Sequence, residues 1–457
     1  MSQHQFFNKF NRLSCRTWIG ASTYFMASLL IVPMPLKAGP LPIKPTPSPE
    51  WSGFPAINHS PHQPTAQSRV RKVDAWVTKI GQDQRKVWRK QLGSSLSDYA
   101  LSVATDSSGN VVIAGYTEGN LASRNKGFRD AWVARYNPDG TLLWKKQLGT
   151  LTDDVASSVA TDSSNNVWVT GSTDGSLVGP NQGSYDAWIL KYSPDGTLLW
   201  KKQLGTSNGD FSTGVAVDSS SNILVAGWTY GSFGGPNSGI TDAWVAKYSS
   251  DGTLLWKNQL GSGDYDFLYG VATDNSNNVL ISGSTFGDLG GSSQGVYDAW
   301  VAKYSSDGTL IWKKQFGSTG QDSSASIATD SSGNVLIAGY TDGDLGNPNQ
   351  GLTDAWVVKY SSGGSLLWTR QLGTSSTDQA SGVATDNSSN IVVAGSTGGN
   401  LGGPRDPGNS DAWVAVYSSN GTLLWIRQLG ADKAEFGAGV ATDSSGNIFI
   451  TGSIIIN

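Results

Sequence analysis

The feature that most constrains this chain is a tripeptide that keeps returning. Asp-Ala-Trp recurs with its tryptophan at Trp76, Trp132, Trp188, Trp244, Trp300, Trp356 and Trp413, spaced by 56 residues five times and then by 57. A second tryptophan follows each one after 12 residues, at Trp88, Trp144, Trp200, Trp256, Trp312, Trp368 and Trp425. A third marker, the acid closing Val-Ala-Thr-Asp and its variants, stands at Asp106, Asp162, Asp218, Asp274, Asp330, Asp386 and Asp443. The three markers agree on seven units after about residue 70. A fixed period of this length marks repeats that bury their apolar faces only against neighbours.

One unit reads as four strands. Val159–Asp162 forms a short strand a, ended by a Ser-Ser-Asn-Asn turn, and Val167–Thr170 forms strand b. Ala187–Tyr192 is strand c, ended by Ser-Pro-Asp-Gly, and Thr197–Leu204 is strand d. β-branched and aromatic runs bounded by Asp, Asn, Ser and Gly are strand grammar, and the Asp-Gly turns at Asp251-Gly252 and Asp307-Gly308 signal hairpins. Seven four-stranded antiparallel units predict an all-β, seven-bladed β-propeller over residues 70–457. A solenoid of stacked sheets is the rival. The ends of the array separate the two, because it begins with strands c and d (74–92) and finishes with a and b (439–453). A closed ring joins these halves into one blade, whereas a solenoid leaves a bare half-unit at each end. Two large tryptophans per unit do not offset the ordering entropy of a lone blade, so closure is expected to be obligate.

The repeat resembles a known family. The run Ala104-Thr105-Asp106-Ser107-Ser108-Gly109-Asn110-Val111, followed by Gly115-Tyr116-Thr117, is similar to the hallmark of the SBBP repeats, seven-bladed β-propeller repeats of secreted and surface bacterial proteins. The resemblance recurs in every unit. It implies the propeller fold and an extracytoplasmic setting, and it brings no agreed activity and no catalytic residues, so function must come from sites rather than fold.

Composition then excludes much of the familiar chemistry. The three histidines are His4, His59 and His62, and the single cysteine is Cys15. The repeat region therefore has no imidazole and no thiol, which excludes a Ser-His-Asp triad, a cysteine nucleophile, a disulfide frame and an ordinary zinc site. A net charge of −4, from 32 basic and 36 acidic residues, does not suggest a nucleic-acid binder.

Lys9, Arg12 and Arg16 precede an apolar stretch from about Trp18 to Val32, which Pro33 and Pro35 interrupt before Leu36-Lys37-Ala38. This is the pattern of a secretory signal over residues 1–38, with an uncleaved signal anchor as the alternative. Residues 39–69 hold eight prolines and read as an extended spacer. The expected location is extracytoplasmic: periplasmic, cell-surface or secreted.

Two acids per unit invite a functional reading. One set lies eight residues before the strand-a aspartate, in the loop from d to a: Asp98, Asp154, Asp210, Asp266, Asp322, Asp378 and Glu435. The other opens strand c: Asp74, Asp130, Asp186, Asp242, Asp298, Asp354 and Asp411. Together they form a cation-attracting rim on the top face, or they cap turns and join blades. Recurrence in all seven units favours the structural role, because a binding site needs one special place. No Asp-x-Asp-x-Asp-Gly calcium loop is present, so no metal is assigned. Ser249–Trp256 looks like the sialidase Asp-box turn, but its glycine follows the aspartate directly and the spacing fails. The Asp-Gly…Trp ending is also similar to a quinoprotein docking motif, without any cofactor pocket to go with it. Paired carboxylates are able to hydrolyse glycosides, yet no pair is singled out.

Sites are better sought where the units differ. Trp228, Tyr230 and Phe233 depart from the other units and lie near Tyr265, Tyr269 and Phe286 of the next blade's loops. In a ring these six share one side of the top face, where aromatic side chains stack on sugars or anchor peptides. The expectation is an exported, non-enzymatic, monomeric binding or structural module without a cofactor, taking an extracellular protein or a glycan. A lectin-like glycan binder and a carboxylate-dependent polysaccharide-active enzyme are the alternatives.

Overall fold

The computed structural model describes residues 72–403, 410–430 and 433–456. The expected signal and spacer lie outside the described residues. Among the described residues no helix is long and apolar enough to cross a membrane.

The described residues fold into 28 strands in seven four-stranded antiparallel sheets. Blade 1 shows the plan, with β3 (Asp98–Thr105), β4 (Val111–Thr117), β5 (Asp130–Tyr136) and β6 (Leu142–Leu148) paired in that order as strands a, b, c and d. Blades 2 to 6 repeat it over residues 154–204, 210–260, 266–316, 322–372 and 378–428. Blade 7 is built from both ends of the array: β1 (Lys72–Ile80) and β2 (Lys86–Leu92) supply c and d, and β27 (Glu435–Thr442) and β28 (Ile448–Ile456) supply a and b. β1 and β28 pair from Lys72↔Ile456 to Ile80↔Ile448, so the ring closes as expected.

Burial grades outward from the axis. The a strands pack on one another around the ring, from β3 through each blade to β27 and back to β3. Strands b and c of blade 1 are buried throughout, and those of the other blades nearly so. The Asp-Ala-Trp tryptophans fill the joints; Trp132, for example, packs into the blade 7–blade 1 joint with Ala75, Val77 and Phe449. Strand d is the outer edge. There a bulge at Leu143 and the exposed Lys145 and Lys146 twist and charge an edge that would otherwise template aggregation.

The hallmark Gly-x-Thr at the end of strand b has a steric origin. Beside Gly115 the bulge in β3 brings the Tyr99 carbonyl so close that a Cβ would lie 1.8 Å from its oxygen, and the same clash recurs in all seven blades. The Asp-Gly hairpins form as four-residue turns. Gly140 N–H donates to Asn137 O, and only the glycine has positive φ, at 84°.

Candidate ligand-binding face

The two ends of the ring do different work. At the bottom, each strand-a aspartate ties its own turn. Asp218 accepts the N–H groups of Ser220 and Asn222 and the Asn222 amide, and Lys247 of strand c lies 2.9 Å away. Lys247 also reaches the Ser306 carbonyl of the next blade. Burial pushes the carboxyls of Asp162, Asp218, Asp274 and Asp330 up, but hydrogen bonds from asparagine amides and the neighbouring lysines outweigh it, and all four sit below the usual carboxylate range. In blade 6 the lysine is replaced by Val416, and Asp386 has no ion-pair partner among the described residues.

At the top, the acids expected in the d-to-a loops are the first residues of strand a, which is longer than its sequence suggested, and they are buried. Asp154 is fully buried. One oxygen accepts the Thr173 hydroxyl at 2.5 Å, and the other accepts the N–H and hydroxyl of Thr150 at 2.5 and 2.9 Å. Asp98, Asp210, Asp266 and Asp378 repeat this with Thr117, Thr229, Thr285 and Thr397. Desolvation raises Asp98, Asp154, Asp210, Asp266, Asp322, Asp378 and Glu435 above their ordinary values, and a strand-c carboxylate nearby adds to it. Asp322 has a further buried oxygen without a hydrogen bond. In blade 7 Ile454 stands at the threonine position, and Glu435 pairs with Arg89 at 2.9 Å instead. These acids brace the joints from inside and do not form a solvent-facing rim.

A residue that the sequence reading passed over positions the top loops. Gln147 of strand d accepts the N–H groups of Leu121, Ala122 and Ser123 through one oxygen, at 2.9, 2.9 and 3.2 Å. Its amide donates to Gly119 O and Asp130 Oδ2. Gln203, Gln259, Gln315, Gln371 and Gln428 repeat the staple. Each long b–c loop is therefore held at its root, which presents a preformed top face.

On that face aromatic side chains form a continuous crescent. Phe211 stacks on Trp228 at 4.0 Å, and Trp228 meets Tyr230 at 5.5 Å and Phe267 at 5.3 Å. Tyr265 lies 5.9 Å from Phe267 and 5.8 Å from Phe286, and Tyr269 lies 6.3 Å from Phe267. Tyr185 extends the crescent toward blade 2, and Tyr297 extends it beyond Phe286. Burial raises the Tyr230 and Tyr269 hydroxyls above the ordinary tyrosine value.

Five of the six residues singled out in the sequence meet here, and the sixth does not. Phe233 is buried against Trp244 at 4.3 Å, in the joint with Ile189 and Val225. Its place in the unit is the one Leu121, Leu177, Leu289 and Leu345 hold elsewhere, so it is a core residue. Trp228 belongs to the crescent but is only 7% exposed and serves as its floor. Tyr230, Tyr265 and Tyr269 are half-buried, and Phe286 is exposed. Phe211, Phe267, Tyr185 and Tyr297 were missed, although each stands at a position whose residue type varies from unit to unit.

The match to a repeat-family model supports the fold. The β-propeller repeat model, SBBP, matches residues 87–122, 143–177, 199–234, 311–346, 367–402 and 424–457. Tyr265, Phe267, Tyr269 and Phe286 fall in the span between the third and fourth matches. An uncharacterized WD repeat-containing protein, L264, of Acanthamoeba polyphaga mimivirus is 20% identical over 82% of this chain and 36% of its own length. The regulatory protein FlaEY of Caulobacter vibrioides is 26% identical over 50% of this chain and 24% of its own. The chain thus spans about a third or less of the curated relatives it matches. Among solved structures, Sqt1 from Chaetomium thermophilum aligns with a TM-score of 0.43 at 9% identity, over 79% of this chain and 96% of that one.

Proposed function

We propose that this chain, which belongs to the SBBP β-propeller repeat family, is an exported, non-enzymatic binding module that takes its ligand on the aromatic crescent of the top face. One observation carries the reading: top-face rings of blades 3 and 4 join into one continuous cluster, from Phe211 through Trp228 and Phe267 to Tyr265 and Phe286. The second position of strand a is Phe in blades 3, 4 and 7 and Tyr in blade 1, but Val, Ser or Gln in blades 2, 5 and 6. The sixth position of strand b is Trp228 in blade 3, tyrosine in blades 1 and 5 and serine in blades 2, 4, 6 and 7. Packing alone asks the same residue of every blade, as the Trp132 and Gln147 positions do. Half-exposed rings over a buried aromatic floor, on loops held at their roots, supply rigid contact area at low entropic cost.

Tyr265 and Phe286 are the ligand-facing residues of this reading. Full chain, Tyr265→Ala and Phe286→Ala are applied to glycan and peptide arrays and melted in parallel. Capture by the full chain that both variants lose at an unchanged melting temperature supports the crescent; capture that both retain overturns it. The glycan reading draws on the tyrosine hydroxyls that border the crescent, and the glycan array decides it. Fractionation with N-terminal sequencing of the isolated protein tests export, and release of reducing sugar from polysaccharides would restore the enzymatic alternative.

A further inference from the structure

The joint between blades 1 and 2 breaks the repeat in a second way. The b–c loop of blade 1 carries Arg124, Lys126 and Arg129, whereas the corresponding loops of blades 2 to 5 carry no basic residue at all. Arg129 is spent on the structure, in a two-pronged pair with Asp153 at 2.8 and 2.7 Å. Arg124 and Lys126 are exposed and have no ion-pair partner among the described residues. They line a cavity of about 730 Å³ together with Thr150, Leu151 and Ser176. Phe128, two residues past Lys126, is 76% exposed and Leu151 is 83% exposed, the two highest values among the described large apolar side chains. Gly127 seats this loop directly on residues 150–152, where a Cβ would lie 2.5 to 2.7 Å from their backbone, so the cations and the apolar pair share one small area.

We propose that this joint docks an acidic polypeptide segment that also bears an apolar side chain, its carboxylates on Arg124 and Lys126 and its apolar group against Phe128 and Leu151. Two unpaired cations beside two water-exposed apolar groups ask for a partner of both characters, because charge complementarity selects it and apolar burial holds it. A bare anion would leave Phe128 and Leu151 in water. An anionic bilayer laid on this face would also meet the exposed Asp288, Asp342 and Asp344 of blades 4 and 5. A segment confined to one joint avoids them.

The test uses the full chain and three fluorescent hexapeptides followed by anisotropy: alternating Glu-Leu, alternating Gln-Leu and alternating Lys-Leu. The Glu-Leu peptide is expected to bind at least about tenfold tighter than the other two, with affinity falling as salt rises. Arg124→Glu with Lys126→Glu, and separately Phe128→Ser, should each abolish that preference at unchanged melting temperature, while Phe286→Ala leaves it intact. This last arm separates the joint from the crescent, which can fail alone. Equal binding of all three peptides, or an Arg124/Lys126 variant that binds Glu-Leu as before, overturns the proposal. So does binding of phosphatidylglycerol vesicles or of polygalacturonate in place of the peptide.

Discussion

The Thr105 hydroxyl donates to the main-chain carbonyl of Thr442, 2.7 Å away across 337 positions of sequence. It is one rung of a ladder that runs from blade to blade around the axis. Thr161 donates to Thr105 O, Thr329 to Thr273 O, Thr385 to Thr329 O and Thr442 to Thr385 O, at 2.7 to 3.0 Å, and Thr273 reaches Val217 O at 3.4 Å. The ladder misses a donor at one place only, where Val217 replaces threonine. Val217→Thr should complete the circle toward Thr161 O and raise stability by about 1 kcal/mol, the net worth of one hydrogen bond, and Thr105→Val should cost a similar amount. Chemical denaturation of the two variants checks the opposite signs.

Closure itself is carried by β1 and β28, whose nine paired residues join the two ends of the array. Deleting residues 439–457 removes strand b and the second half of strand a of blade 7 and takes Ile450 and Ile454 from the Trp76 joint. The truncated chain should give no soluble, cooperatively melting protein; a melt like that of the full chain would refute obligate closure.

The bottom turns differ in what their aspartate neutralises. Asp218→Asn leaves the buried Lys247 without its carboxylate, and breaking a buried pair in this way costs about 3–5 kcal/mol. Asp386 faces no cation among the described residues, so Asp386→Asn should cost only about 1 kcal/mol of turn bonding. Equal losses in the two variants would show that the lysine is fully hydrated in place.

Much of this was legible in the sequence because repetition multiplies weak signals. Seven copies of Asp-Ala-Trp fix the blade count, and the split of strands between the ends fixes closure. What a single unit hides is burial. Asp154 and Asp162 look equally like loop acids, yet one lies under Thr173 at a joint and the other lies 3.4 Å from Lys191. Reading down the repeat rather than along it recovers part of the difference. Glu435, the one glutamate at its position, goes with Ile454, the one unit without the strand-b threonine. The same vertical reading separates Phe233, whose equivalents are leucines, from Trp228, whose equivalents vary. No such reading reveals that Gln147 holds a loop through three N–H groups, because glutamine at an edge strand looks like ordinary surface.

The crescent gives two mutations with opposite signatures. Trp228→Ala removes a buried ring from between Phe211 and Phe267 and should cost about 3–5 kcal/mol. Phe286 is 38% exposed, so Phe286→Ala should stay within about 1 kcal/mol of the parent. Loss of ligand capture in the tryptophan variant is therefore uninformative without a melt, whereas the same loss in the phenylalanine variant reports contact.

The carboxylates set a stability optimum on the acid side of neutrality. Asp98, Asp154 and their equivalents have folded pKa values raised by desolvation, so the folded ring binds more protons than the unfolded chain just above the ordinary carboxylate value of about 4. Their contribution is fully present below that value and is lost as pH rises through the folded pKa. Asp162, Asp218, Asp274 and Asp330 are lowered, and their contribution is present above the unfolded value and lost as pH falls through the folded one. The two sets act in opposite directions on either side of about pH 4. Melting temperature should therefore be highest near the ordinary carboxylate value of about 4, falling as pH rises above it through the raised set's folded pKa values and falling again as pH drops below it through the lowered set's. A melting temperature that climbs steadily as pH is raised above about 4 would mean that the joint aspartates stay ionised in the folded ring.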